Sequence, residues 1–445
     1  MKVNKYVIGS TLVAALGGFL FGFDTAVISG TTGVLEKVFN LDSFSLGFTV
    51  SIALIGTIIG SLAVGRPGDL YGRKRTLSIM AVLYAISALG CAFAWDWYSL
   101  LIFRFIGGLG VGGSSVMAPM YIAEISPAKL RGRLVAISQF NIVVGILMAY
   151  FSNFIISGVL GQGAWRWMLG IETLPAMLFF FLLFLIPFSP RWLVKVGRPD
   201  EARDILAKIG EADADTELEE IKTSLKSEEE QSKIKLFTPQ YRKPILLAIM
   251  VAAFNQLSGI NVIMYYAPRI FEMTGLGSEA ALLQTVGIGF TNLIFTVIAM
   301  TVIDKLGRKK LLLIGSVGLA LFMGLAGRAF IVQDFHGYAV MIYLIGYIAC
   351  FAFSQGAVIW VFLAEIFPNK VRSKGQALGS FTHWIGNAII SWMFPVIATI
   401  PWIGGGGAFM FFSVMMVLQF LFVWKWLPET RGKSLEQIQI ELGIQ

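Results

Sequence analysis

Apolar residues in this chain fill whole windows of about twenty positions, and the windows are separated by short polar loops. A helix of roughly 20 apolar residues crosses about 30 Å of hydrocarbon. Windows of that length predict twelve membrane spans, at 6–29, 46–65, 76–94, 98–120, 133–155, 166–187, 243–271, 282–303, 310–331, 338–363, 375–397 and 407–427. Only the middle of the chain is strongly polar. There "DEARDILAKIGEADADTELEEIKTSLKSEEEQSK" predicts short amphipathic helices, either a solvated linker or a gate element. The expected organisation is a six-helix bundle over 1–187, a linker over 188–242, a second bundle over 243–428 and a tail over 429–445.

Composition agrees with a chain dissolved in lipid. Of 445 residues, 56% are hydrophobic and 14% charged, and the mean hydropathy is +0.74, well beyond a soluble domain. Lys2 and Lys5 precede an apolar stretch, as in a secretory signal, but no cleavage motif follows, so this stretch reads as the first span. Cys91 and Cys350 both fall inside spans, where they read as small buried hydrophobes rather than a disulfide or metal pair.

The net charge of +8 could suit nucleic acid, but its placement excludes that partner. Lys and Arg gather in alternate loops: "GRPGDLYGRKR", "PAKLRGR", Arg191 to Lys243, "DKLGRKK", "PNKVRSK" and Lys425 to Lys433. The loops between carry almost none. This is the positive-inside pattern, and it predicts a multi-pass protein of the cell (plasma or inner) membrane with both termini and the linker cytoplasmic.

The two halves repeat each other. "YGRKRTL" from Tyr71 returns as "LGRKKLL" from Leu306, and "EISPAKLRGRL" from Glu124 as "EIFPNKVRSKG" from Glu365, at nearly constant offset. Duplicated six-helix halves that rock about a site at their interface are a transporter architecture. No Walker loop, H-E-x-x-H or G-x-S-x-G occurs, and "GLGVGG" at Gly108 to Gly113 lies mid-span with no preceding strand, so an enzyme is not expected. His336 stands alone in a short loop.

Seven motifs in order, "GRPGDLYGRKR", "MYIAEISPAKLRGRL", "PFSPRWLVKVGR", "NQLSGINVIMYYAP", "DKLGRKK", "AEIFPNKVRSKG" and "PETRGKSLEQI", resemble the sugar porter family of the major facilitator superfamily. The resemblance implies the major facilitator fold: all-α, integral to the membrane, twelve transmembrane helices in two pseudo-symmetric halves. It also implies that Asp69, Arg73, Glu124, Arg131, Asp304, Arg308, Glu365, Arg372 and Glu429 form a cytoplasmic gate of pairs that separate on opening. Exposed pairs of about 0 to 1 kcal/mol suit such a gate. Where the family usually carries a glutamate in "PESPRW", this chain has Phe188.

A sugar needs amides for its hydroxyls and an aromatic for its apolar face. Amides are costly in hydrocarbon unless they meet a cavity or a partner. Asn255, Gln256 and Asn261 in "FNQLSGINVIMYY", with Gly259 to loosen the helix, satisfy that description. The resemblance assigns Gln139, Asn255, Gln256, Asn261, Tyr265, Asn292, Gly356, Trp360, His383, Trp384 and Asn387 to sugar binding. His383 replaces an amide usual in relatives, and reads either as a neutral hydrogen-bonding ring or as a proton carrier. Ile146, seven residues after Gln139, leans towards a hexose, since some pentose-handling relatives carry glutamine there. Span 10 lacks the proline often found after its glycine, which leaves its flexibility around Gly356 open.

Asp24 in "GGFLFGFDTAVISG" and Arg104 in "LLIFRFIGG" are charges inside apolar runs. Proton-coupled members of the family resemble this chain in pairing them, whereas facilitators usually have asparagine for the acid. The expected activity is therefore proton-coupled monosaccharide import by alternating access. The alternatives are a facilitative uniporter, a transporter-like sugar sensor, or a pair that only fixes two spans together. The expected partners are a sugar, a proton and the lipid bilayer, with no nucleic acid, no cofactor and no metal, and the chain is expected to act as a monomer. Sodium coupling is disfavoured because this pair offers too few oxygens for a cation cage.

Overall fold

The structure, a computed structural model, describes residues 4–127, 130–209, 214–232, 234–335, 337–433 and 435–444; His336 and Lys129 of "PAKLRGR" lie outside them. All regular structure among the described residues is helical. In chain order the helices are α1 (Lys5–Val27), α2 (Thr32–Val38), α3 (Ser43–Ala63), α4 (Gly65–Leu70), α5 (Arg73–Ala92), α6 (Trp97–Ile125), α7 (Arg131–Leu160), α8 (Ala164–Gly170), α9 (Thr173–Leu182), α10 (Pro190–Lys195), α11 (Pro199–Ile209) and α12 (Ala214–Ser232). They continue with α13 (Arg242–Leu257), α14 (Ile260–Glu272), α15 (Ser278–Leu306), α16 (Arg308–Val332), α17 (Ala339–Phe353), α18 (Gln355–Glu365), α19 (Arg372–Ala398), α20 (Gly404–Trp426) and α21 (Leu435–Leu442). Among the described residues eleven spans are long and apolar enough to cross a bilayer, with α8–α9, α13–α14 and α17–α18 each making one of them. The twelfth, α19, has the length at 27 residues but carries Lys374, His383 and Asn387.

The chain divides into two compact units, Met1–Ile28 with Ile52–Lys233, and Ser29–Ser51 with Ile234–Gln445. In lipid, helices gain little from burying apolar surface against each other, so close backbone approach through small residues sets the packing. In the first unit α1 packs along α7 and α5 along α6. At Gly22 a Cβ would overlap the Ile142 carbonyl, and at Gly145 it would overlap that of Phe19, so α1 and α7 are interlocked by reciprocal glycines. The "GLGVGG" run works the same way: Gly108 and Gly112 meet the carbonyls of Ala53 and Thr57 on α3. Helix α6 starts with a capping box, in which the Asp96 side chain accepts the Ser99 amide.

Helices α10 to α12 have the amphipathic pattern expected of the middle stretch. The Ser189 hydroxyl caps α10 and Pro190 opens it. Trp192, Leu193, Ala202, Leu206 and Leu218 then bury a small core of their own. In the second unit the end of the chain is also packed: Ile438, Leu442 and Ile444 join a core containing Leu236, Phe254, Phe362 and Phe422.

Two spans of the second unit are broken. Gly259 has φ +84°, a left-handed conformation that ends α13 and starts α14. The freed carbonyl of Ser258 accepts the Tyr347 hydroxyl at 2.8 Å, so the break is satisfied by a neighbouring helix. In span 10 the break falls at Ser354 (φ −119°, ψ −87°), not at Gly356, which lies inside the first turn of α18. The absence of a proline there therefore does not keep this span continuous.

Candidate functional site

The first unit holds a sealed cluster of charge. Arg104 on α6 donates from Nη1 to Asp24 Oδ1 at 2.7 Å, and the two side chains are 3% and 4% exposed. Gly107, one turn along α6, leaves room for them: a Cβ there would run into Ser87 and come within 3.4 Å of Asp24 Oδ1. A third ionisable group completes the cluster. Glu172, between α8 and α9, is buried beside Asp24, and its Oε1 has no hydrogen-bond partner among the described residues. One guanidinium thus faces two carboxyl groups. With a proton on either acid the three groups sum to zero; without it one negative charge is left over in an interior where charge is costly.

The second unit holds a row of neutral polar groups at the break between α13 and α14. Asn261 Nδ2 donates to Gln256 Oε1 at 2.6 Å. Gln256 Nε2 donates in turn to Asn255 Oδ1 at 3.0 Å and lies 2.9 Å from His383 Nδ1 on α19. It is also 3.3 Å from His383 Nε2, and since an amide nitrogen can only donate, a ring nitrogen without a proton accepts. Asn255 Nδ2 is buried with no hydrogen-bond partner, a spare donor in the row. Trp360 on α18 and Trp384 on α19 lie beside the imidazole, with ring centroids 5.0 and 5.2 Å away. Although it sits mid-helix, Trp360 is 37% exposed. An amide row with an accessible aromatic is suited to a ligand that has both hydroxyls and an apolar face.

Each unit also carries a basic motif at the start of a span. Arg73 opens α5 and binds Asp69 at 3.2 Å and Glu124 at 3.0 Å. Arg308 opens α16 and binds Asp304 at 3.0 Å and Glu365 at 2.7 Å. The preceding glycines, Gly72 (φ +84°) and Gly307 (φ +89°), repeat the same backbone. Above them the units differ. Glu429 accepts the Arg308 and Lys309 amides at 2.9 and 3.1 Å, while in the first unit the Trp192 ring covers Gly72 and stacks on Phe188 at 5.3 Å. Lys74 and Arg75 lie 5.1 and 5.4 Å from the Phe188 ring, as cation–π partners.

A family model described as "Sugar (and other) transporter" matches residues 10–442. The chain belongs to that family. It is 40% identical to the D-xylose-proton symporter of Escherichia coli (strain K12), over 98% of this chain and 96% of that one. It is 39% identical to a glucose transport protein of Synechocystis sp., over 98% and 97% of the two chains. Among solved structures, an inward open conformation of the xylose transporter XylE from E. coli is similar with a TM-score of 0.87 at 40% identity, covering 98% of this chain and 100% of that one. This sugar porter therefore has the major facilitator fold and is a transport protein.

Of the residues expected at its sugar site, the structure brings Asn255, Gln256, Asn261, Trp360, His383 and Trp384 into one cluster. Asn387, one turn beyond His383, accepts the Ser391 hydroxyl. Tyr265 on α14 and Asn292 on α15 are buried. Gln139 is half-buried on α7, in the other unit. Of the expected gate residues, Arg131 is exposed at the start of α7 with no ion pair among the described residues. Arg372 has two buried guanidinium nitrogens without partners. Glu172 is absent from the sequence-based expectation, although its signal was the same as that of Asp24: an acid inside an apolar window.

Proposed function

We propose that this sugar porter is a proton-coupled importer of a monosaccharide, a hexose, working by alternating access. The observation that carries the reading is the sealed cluster of Asp24, Arg104 and Glu172, because facilitators of the family usually have asparagine in place of the acid. Protonation of Asp24 loosens its hold on Arg104; loss of the proton re-forms the pair. A membrane potential of 100 mV contributes about 2.3 kcal/mol per charge moved, enough for roughly 40- to 50-fold accumulation.

Sugar is read by the row Asn255, Gln256, Asn261 and His383, with Trp360 stacked on its apolar face and the spare Asn255 donor taking a hydroxyl. Tyr265, Asn292, Gly356, Trp384 and Asn387 complete the pocket by resemblance, and Gln139 is assigned to the same sugar on that ground. Named relatives that handle xylose and glucose support a monosaccharide, and the aliphatic Ile146 supports the hexose. With the basic loops inside the cell, both termini are cytoplasmic. The Arg73 and Arg308 networks then sit at the cytoplasmic mouth, where Arg131 and Arg372 take partners only in one state of the cycle. The chain acts as a monomer.

Uptake of glucose and xylose by purified protein in liposomes, with an imposed pH gradient, tests this reading. Accumulation of glucose above its external concentration, dissipated by a protonophore, is expected. Downhill uptake that never exceeds equilibrium would identify a facilitator instead.

A further inference from the structure

Residues 29–51 connect α1 to the body of α3, yet they fall within the second compact unit. Three kinds of contact hold this strap there. Trp392 on α19 lies between Phe44 and Phe48, with ring centroids at 5.1 and 4.9 Å, and its Nε1 donates to the Phe44 carbonyl at 3.2 Å. At Gly47 the backbones come so close that a Cβ would overlap the Trp392 carbonyl, and the Ser51 hydroxyl donates to the Ala388 carbonyl at 2.9 Å. The third contact is electrostatic. Arg269, in the last turn of α14, forks onto Glu36 of α2, Nη1 to Oε2 at 2.6 Å and Nη2 to Oε1 at 3.3 Å.

This pair differs from the gate pairs already described. Arg73 and Arg308 each bind acids from their own half of the sequence, so they brace that half. Glu36 and Arg269 tie the connection between spans 1 and 2 to span 7, at the end of α14 away from the basic motifs. The Glu36 side chain is 33% and the Arg269 side chain 26% exposed, so water can reach the pair and let it break. A two-pronged fork also fixes direction, which a single contact would not.

We propose that Glu36 and Arg269 form an outer latch, a positioning pair that sets how often the strap releases α14 and hence the apparent affinity for sugar arriving from outside. The proposal rests on the alternating-access reading. Apparent affinity is the intrinsic affinity reduced by the fraction of molecules in the competent state. A half-exposed pair shifts that fraction by about two- to five-fold. Weakening the latch therefore tightens external binding, the opposite of what general damage does.

The test uses full-length protein with Cys91 and Cys350 replaced by serine and Thr32, buried on α2, replaced by cysteine. Glu36→Gln and Arg269→Gln should each raise labelling by a membrane-impermeant maleimide about two- to five-fold and lower the external KM by a similar factor. The charge-reversed double variant, Glu36→Arg with Arg269→Glu, should return both readouts towards the parent. On the parent itself, 1 M salt should raise labelling, because the Debye length falls to about 3 Å. Unchanged labelling in both single variants, or a double variant no better than the singles, overturns the latch. A parent without uptake, by contrast, would overturn the transport reading and not the latch.

Discussion

The two halves of this transporter share a basic motif and differ at their centres. At the helix starts, Arg73 and Arg308 hold equivalent acids from equivalent backbones, as duplication requires. Deeper in, the first unit buries a guanidinium with two carboxyl groups, and the second buries amides and an imidazole. A charged cluster can exist in a low-dielectric interior only if its groups compensate one another. A neutral row stays hydrogen-bonded at any pH at which the imidazole is uncharged, and it can exchange partners with a ligand. Duplication supplied the scaffold, and divergence left a charged cluster in one half and a neutral polar row in the other.

The comparison is broken most severely by removing the cation. Arg104→Leu leaves buried carboxyl groups without compensation and should cost about 3 to 5 kcal/mol, read as a large fall in melting temperature. Adding Asp24→Asn to that variant should restore most of the loss, because the charge itself, not the shape, is the problem. Gln256→Ala attacks the other centre. It removes the link between Asn261, Asn255 and His383 and should weaken sugar binding by about 1 to 3 kcal/mol, roughly 5- to 150-fold, in equilibrium titration. Melting temperature should change much less than in the arginine variant. The smallest effects belong at the shared helix starts, where equivalent backbone carries different contacts, Glu429 in one half and Phe188 stacked on Trp192 in the other. Glu429→Ala uncovers the first amides of α16 and should cost about 0.5 to 2 kcal/mol, while Phe188→Ala loses only the Trp192 stack and two cation–π contacts, about 0.5 to 1.5 kcal/mol.

Much of this was legible in the sequence, for reasons that differ by feature. Span positions follow from hydropathy, since lipid tolerates little else, and α19 shows the limit: Lys374, His383 and Asn387 leave it outside the eleven helices that are apolar enough by composition. Asp24 and Arg104 stand out as lone charges, and Glu172 carries the same mark inside the window 166–187; what local sequence does not carry is that the fold brings it beside Asp24. The break at Gly259 was written in a residue free to adopt positive φ. The break at Ser354 was not, because a serine with its hydroxyl on the Cys350 carbonyl leaves no compositional mark. Phe188 could be read as a missing acid. That it takes two cations from α5 depends on contacts across 114 and 113 residues of sequence, to Lys74 and Arg75, which no local pattern carries.

The central claim is that the first half's acid couples a proton to sugar held elsewhere. It is tested most directly by Asp24→Asn in proteoliposomes, measured for accumulation under an imposed pH gradient and for sugar counterflow without one. The account expects accumulation to fall to equilibrium while counterflow persists. Accumulation above equilibrium by the asparagine variant would contradict it.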